Sequence, residues 1–141
     1  MRIRAFLLLI GIFFALGLSA AEPRITEAVL GQDRVDKPNG YEIVKPGKVF
    51  RPDSPKIVCV FKVEGAGIGA KTRSVWIAED VGKVAPPNYT IAEKSLVLPF
   101  LDRGTFSLSK PNNGFPVGSY RLEIYLGDKL AKTLKFRIEA H

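Results

Sequence analysis

The sequence predicts an all-β fold, an antiparallel sandwich of about seven or eight strands. Apolar residues recur at every second position in several segments, which is the period of a strand with one buried face. Clusters rich in proline, glycine and asparagine separate these segments, and no stretch of helical length carries an apolar stripe with a period of 3.6 residues. Short strands at such spacing, without helices between them, are typical of two packed sheets.

The N-terminus has the layout of a signal peptide. Arg2 and Arg4 precede an acid-free apolar stretch that runs from Ala5 to Leu18 and is followed by small residues. We expect cleavage after Ala20, and therefore a secreted or periplasmic protein. The apolar stretch falls just short of the roughly 20 residues that span a bilayer, so a retained membrane anchor stays open as the alternative.

Cleavage would leave one domain of moderate positive charge. Without residues 1–20 the 141-residue chain keeps 121 residues, enough for one domain and too few for two. We expect residues 21–24 to be loose and residues 25–141 to form the sandwich, with no stable membrane insertion. Loss of Arg2 and Arg4 lowers the formal net charge from +7 to +5. No dense block of lysine and arginine occurs, which argues against a nucleic-acid partner.

Alternation defines the strands one by one along the chain. The stronger predictions are residues 56–63, 72–78, 104–109, 119–126 and 134–138, and the weaker ones are residues 25–30, 41–44 and 88–98. The last of these is ambiguous, because Thr90 and Glu93 have the spacing of a helix capping box. Residues 88–98 are therefore either a strand or a short helix.

The two C-terminal strands cannot pair regularly through a two-residue turn. A turn at Gly127 and Asp128 would place Tyr120 opposite Lys135, pairing the apolar face of one strand with the charged face of the other. We predict that a three-residue loop, or a bulge near residues 132 and 133, restores the phase.

Few residues could support catalysis. His141, the only histidine, is the last residue, which removes Ser/His and Cys/His arrangements and multi-histidine metal sites. Cys59, the only cysteine, cannot form an intrachain disulfide, and its apolar surroundings indicate a small buried hydrophobe. Glu79 and Asp80 are adjacent on a strand and point to opposite faces, so we interpret them as a solvated strand end. We predict no enzymatic activity.

A glycine-rich segment, residues 65–72, matches nucleotide-binding signatures only superficially. Such loops hold phosphate at the N-terminus of a following helix, whereas residues 73–77 have the pattern of a strand. We interpret the segment as a flexible connection between strands and predict no cofactor.

Three landmarks between residues 50 and 139 resemble the immunoglobulin-like superfamily. Cys59 stands where the second strand of such domains carries its cysteine, Trp76 where the third carries its core tryptophan, and Tyr120 where a tyrosine corner begins the sixth. Leu122 occupies the position of the second cysteine. The resemblance therefore implies an immunoglobulin-like sandwich without the inter-sheet disulfide, and it implies no particular function.

Recognition is the remaining class of function. Asn112, Asn113 and Phe115 lie in a predicted loop, and Tyr125 points away from the predicted core, so we take these four as partner-binding candidates. Phe115 could instead plug the end of the sandwich, and Tyr125 could simply cover the outer sheet. We expect a non-enzymatic module that binds a protein partner in the cell envelope. The alternative is a module that binds carbohydrate or an anionic polymer.

Overall fold

The computed structural model describes residues 22–66, 69–98 and 102–141, and these residues form strands, turns and loops without a helix. The strands are β1 (Arg24–Gly31), β2 (Asp33–Lys37), β3 (Gly40–Val44), β4 (Val49–Phe50), β5 (Lys56–Glu64), β6 (Lys71–Asp80), β7 (Tyr89–Val97), β8 (Arg103–Ser109), β9 (Gly118–Leu126) and β10 (Lys129–Ile138). The predicted signal peptide, residues 1–20, and residue 21 of the predicted loose segment lie outside the described residues.

Two sheets face each other across the core. One has three strands in the order β1-β5-β8, and the other has five in the order β4-β10-β9-β6-β7. The all-β sandwich is confirmed, and its two sheets together have eight strands, within the predicted seven or eight. The sequence does not predict β2 and β4 individually, because neither has an alternating apolar pattern. The sandwich is also not wholly antiparallel, since β4 pairs with β10 in parallel.

Residues 89–97 settle the ambiguous segment as a strand. β7 pairs with β6 from Lys71↔Val97 to Ala78↔Tyr89, with an irregularity opposite Trp76 and Ile77. Thr90 and Glu93 therefore lie in a ladder, because pairing with a core strand outweighs a local helical preference that only a few residues support.

The C-terminal hairpin contains the predicted irregularity. Lys129 pairs with Leu126 across a two-residue turn, and the register shifts between Leu130 and Lys132, so that Ala131 is the extra residue of a bulge. Beyond the bulge Leu134 stands opposite Leu122 and Phe136 opposite Tyr120, as the buried face requires. The apolar-to-charged mismatch of Leu126 with Lys129 is thereby confined to the end of the hairpin next to the turn.

Aromatic side chains fill the centre of the core. Phe136 stacks on Tyr120 at a centroid distance of 5.2 Å and meets the edges of Trp76 and Phe50, each at 6.0 Å. Cys59 is buried and unpaired, and burial raises the pKa of its thiol to about 12. Because Cys59 forms no disulfide, the sheets are held together by packing alone. Cys59 and Trp76 are both buried, which confirms that they are core residues.

Tyr120 forms the predicted tyrosine corner. Its hydroxyl donates a hydrogen bond to the backbone oxygen of Pro116, four residues upstream, and its ring is buried. Burial raises the pKa of this phenol to about 12, so the hydroxyl stays a donor at physiological pH. The bond fixes the chain where the β8–β9 loop enters β9.

A two-stranded ribbon of β2 and β3 lies on the outer face of the three-stranded sheet. Ile43 of β3 packs where a side chain at Gly31 would stand, the Lys56 ammonium of β5 pairs with Asp33 at 3.0 Å, and Arg103 of β8 donates to the backbone oxygen of Asn39. Val58, on that outer face, is buried. The ribbon therefore acts as a partial third layer.

We predict that Tyr120→Phe lowers the free energy of unfolding by about 1–2 kcal/mol, because the part-buried hydrogen bond from Tyr120 to the Pro116 oxygen is lost. Urea denaturation followed by tryptophan fluorescence measures the change. Tyr89→Phe is the matched control: Tyr89 is 51% exposed, and its substitution should cost less than about 0.5 kcal/mol. Equal effects of the two substitutions would contradict a structural role for the corner.

Candidate functional site

The four predicted binding residues do not form one site. Asn112 and Asn113 are exposed in the loop that precedes β9, whereas Tyr125 lies near the other end of β9. At about 3.3 Å per residue, Gly118 and Tyr125 are separated by roughly 23 Å along the strand. A single small ligand could not touch both groups.

Phe115 belongs to the core rather than to a binding surface. Only 3% of it is exposed, and its backbone amide donates to the Pro52 oxygen at 2.9 Å, which ties the two loops together. The ring plugs the end of the sandwich, as the alternative interpretation of this residue held. The prediction that its ring contacts a partner is therefore corrected.

Tyr125 lies on the outer face of the five-stranded sheet, where it joins a chain of polar contacts. The Arg73 guanidinium stacks over its ring at 4.1 Å from the centroid and pairs with Glu93, and the Tyr125 hydroxyl donates to Glu123 at 3.0 Å. Glu123 in turn pairs with Arg121 at 3.1 Å. The ring is thus held in place by charged neighbours on both sides.

Glu79 completes this network and is not the solvated strand end that the sequence suggested. Arg121 of β9 and Lys135 of β10 are directly opposite each other, an arrangement that destabilises a sheet when both residues carry the same charge. The Glu79 carboxylate accepts from Lys135 at 2.6 Å and from Arg121 at 3.2 Å. Burial raises the pKa of Glu79, but the hydrogen bonds and charges of Lys135 and Arg121 outweigh it, and the pKa is lowered overall.

The outer face of this sheet is therefore balanced in charge and internally satisfied. Arg73, Arg121 and Lys135 are matched by Glu79, Glu93 and Glu123. Val75 and Ile77, the apolar residues of β6 between them, are buried. Around β6 this face therefore presents neither an exposed apolar patch nor a surplus of one charge.

The described residues offer no group of side chains that could hold a metal ion, and they include no helix that could span a membrane. Strand β6 begins at Lys71, within the glycine-rich segment 65–72. Residues 67 and 68 of this segment lie outside the described residues. A helix N-terminus that could hold a phosphate is thus missing at that place.

A free sheet edge is the feature that remains. β7 is the terminal strand of the five-stranded sheet and, among the described strands, pairs only with β6. The Leu98 amide donates to the Ala70 oxygen at 3.0 Å, which makes this pair a hydrogen-bonded one. Because such pairs alternate along an antiparallel ladder, Glu93, Ser95 and Val97 direct their backbone N–H and C=O groups away from β6.

The same side of the sandwich holds the free edge of β8. The Lys110 amide donates to the Pro55 oxygen at 3.0 Å, and the same alternation directs the backbone groups of Thr105 and Ser107 away from β5. A cleft of about 220 Å³ lies between the two edges and is closed at one side by the β2–β3 ribbon. Leu96 and Phe106 supply its apolar lining.

Lys94 and Arg34 are the charged groups of this cleft. In the β6–β7 ladder Lys94 stands opposite Ser74, whose side chain is buried. The Lys94 side chain therefore lies on the inner side of β7. Within the described part of the chain no carboxylate forms an ion pair with Lys94, whereas Arg34 pairs with Asp36 and stacks on Tyr41 at 4.9 Å. None of the residues that line the cleft is acidic.

Sequence reasoning did not find this cleft. Alternation shows which face of a strand is buried but does not show which strand ends a sheet. The one available signal was Lys94, a charge at an inward-facing position of the segment 88–98. A lysine in that position is a known device of edge strands.

Comparisons with known proteins agree on the fold alone. No protein-family model matches the chain, and no curated protein is detectably similar to it in sequence. The chain is similar in structure to an immunoglobulin-like protein from Pseudomonas aeruginosa, with a TM-score of 0.53 and 16% sequence identity over 86% of this chain and 99% of that one. The fold is therefore an immunoglobulin-like β-sandwich.

We predict that Glu79→Gln lowers the free energy of unfolding by about 1 kcal/mol at pH 7 and low salt, because Arg121 and Lys135 then face each other without an anion between them. The lowered pKa means that this contribution is present above the ordinary carboxyl pKa of 4.5 and is lost as the pH falls through the folded-state value. The variant should therefore lose less stability than the wild type on acidification below pH 4.5.

Urea titrations at pH 7 and at several values below pH 4.5 measure both effects. Glu93→Gln is the matched control, since Arg73 keeps its contact with Tyr125 and Glu93 is more exposed than Glu79. Parallel pH profiles for the wild type and Glu79→Gln would contradict the bridging role.

Proposed function

We propose that this immunoglobulin-like domain is an exported, non-enzymatic module that binds a protein partner in the cell envelope by adding a strand of the partner to the edge of β7. The observation that carries the proposal is the row of backbone groups on Glu93, Ser95 and Val97, which are not engaged by other described strands. An extended segment placed there gains a main-chain hydrogen-bond ladder, which supplies affinity without a deep pocket.

The other edges suit this role less well. β4, at the opposite edge of the large sheet, has two residues, whereas β7 has nine. β1, one edge of the small sheet, lies against β10 and β3. β7 is therefore the longest open ladder of the described sandwich.

The rest of the molecule supports binding rather than catalysis. Cys59 is buried and its thiol pKa is raised to about 12, so it is not a ready nucleophile. Glu79, the best placed carboxylate for acid–base chemistry, is held by Arg121 and Lys135 with its pKa lowered, which disfavours proton donation at neutral pH. Export rests on the signal-peptide layout of residues 1–20.

Binding of an anionic polymer is a second candidate, favoured by the distribution of charge. Every side-chain carboxylate in the described residues is in an ion pair except those of Asp80 and Asp128. The basic residues without such a partner there are all lysines, namely Lys45, Lys48, Lys71, Lys83, Lys94, Lys110 and Lys132. The charges of such solvated lysines attract polyanions at long range, and salt screens this attraction.

We predict that Ser95→Pro strongly weakens partner capture and keeps the fold. Proline removes the outward amide of Ser95 but leaves the β6–β7 ladder intact, and edge strands tolerate proline on their free side. Ser95→Ala, which keeps the amide, is the matched control. The tagged domain, from residue 21 onward, is used to capture proteins from a cell-envelope extract of the source organism.

The wild type and Ser95→Ala should retain the same specific protein, and Ser95→Pro should retain roughly tenfold less, as expected for loss of a main-chain hydrogen bond and distortion of the ladder. Circular dichroism verifies that all three are folded. Equal capture by Ser95→Pro, or no specific protein with the wild type, would reject the proposal.

The polymer candidate predicts retention on heparin-type and polyphosphate resins that falls steeply as salt is raised. A triple variant with Lys45, Lys48 and Lys110 changed to glutamine should elute at lower salt, whereas Arg24→Gln, which removes a cation already paired with Glu64, should elute close to the wild type. Failure to bind either resin at low salt would exclude this candidate.

A further inference from the structure

The cleft beside β7 specifies what kind of strand can be added there. A strand paired with β7 would extend the five-stranded sheet, and its inner side chains would enter the space between β7 and β8. Alternate residues of that strand would therefore meet the cleft, and the residues between them would face outward.

The apolar part of the cleft favours apolar side chains at some of these inner positions. Leu96 of β7 packs against the core and is only partly buried, and Phe106 of β8 lies behind it. The volume of about 220 Å³ corresponds to about seven waters at liquid density, which is room for one or two side chains. An apolar side chain next to Leu96 would displace this water.

The charged part of the cleft favours an acid two residues away. Lys94 and Leu96 are alternate residues on the inner side of β7, so a paired strand places side chains beside them that are also two residues apart. Lys94 has no carboxylate partner in the described residues, and the lining includes no acid. A carboxylate is the group that this position lacks.

From these observations we infer that the cleft selects an extended partner segment in which acidic and apolar residues alternate on one face, with the acid beside Lys94 and the apolar residue beside Leu96. This inference rests on the proposed strand addition and names its specificity. An inward lysine on an edge strand also discourages pairing between copies of the same chain. The charge of Lys94 therefore both selects an acidic partner strand and disfavours pairing with β7 of a second copy of the chain.

Three synthetic nonapeptides labelled with fluorescein test the inference. TVTDTVTDT presents valine and aspartate on one face, TVTNTVTNT replaces the acids by their neutral isosteres, and TVTKTVTKT reverses the charge. Fluorescence anisotropy gives a Kd for each peptide with the wild type, with Lys94→Glu and with Lys94→Gln. Lys94 is exposed, and circular dichroism verifies the fold of each variant.

The wild type should bind the aspartate peptide roughly three- to fivefold more tightly than the asparagine peptide at low salt, as expected for one opposite-charge pair across strands. Lys94→Glu should prefer the lysine peptide, and Lys94→Gln should not distinguish the aspartate and asparagine peptides. The same order of affinity for the three peptides in the wild type and Lys94→Glu would overturn the inference.

Ser95→Pro separates this inference from the proposed function. If strand addition is correct, Ser95→Pro weakens all three peptides alike, and Val97→Pro, which removes another outward amide at the end of the strand, repeats the effect. Loss of charge preference with retained sensitivity to these prolines rejects the acidic motif alone. Insensitivity to both prolines rejects strand addition itself, and with it the inference.

Discussion

The face that β10 presents to the core depends on one extra residue, Ala131. Because side chains alternate along a strand, a ladder without this bulge would turn Phe136 outward and bring Lys135 into the core. With the bulge, Phe136 stacks on Tyr120 and meets Trp76 and Phe50, residues from β9, β6 and β4. The absence of an inter-sheet disulfide makes this register decisive, since packing alone holds the sheets together.

The same packing explains why one edge stays open. The outer face of the small sheet is partly covered by the β2–β3 ribbon. On the outer face of the large sheet, a chain of polar contacts runs from Arg73 through Tyr125, Glu123 and Arg121 to Glu79. The side chains of these two outer faces are thus engaged by contacts within the domain. The edges of β7 and β8 are not covered by another described strand, and the cleft between them contains a lysine without a carboxylate partner in the described residues.

Local sequence patterns were sufficient to predict the fold class, most strands, an irregularity in the C-terminal hairpin and the core positions of Trp76, Cys59 and Tyr120. They failed for β2 and β4, which are short and lie outside the alternating pattern. They could not decide residues 89–97, where helical spacing and strand pairing compete and only the contact with β6 resolves them. Phe115 was ambiguous for a related reason, since a loop aromatic is buried or exposed according to the loop that packs on it.

The candidate site was beyond the sequence because edges are a property of strand order. Lys94 stands out once β7 is known to be terminal and its even-numbered residues are known to face inward. Tyr125 was correctly placed on the outer sheet, but its ring is engaged by Arg73 and its hydroxyl by Glu123. The edge with free hydrogen-bonding capacity, β7, therefore lies two strands away from β9, which carries Tyr125.

Backbone amide hydrogen exchange in the isolated domain tests most directly whether β7 is a free edge. The amides of Lys94 and Leu96, which face β6, should be protected by the sheet, and those of Glu93, Ser95 and Val97 should exchange far faster in the same strand. Addition of a bound strand should slow the odd-numbered amides selectively. Equal protection of odd and even residues in the monomeric domain would contradict an open edge, because another part of the chain would then already occupy it.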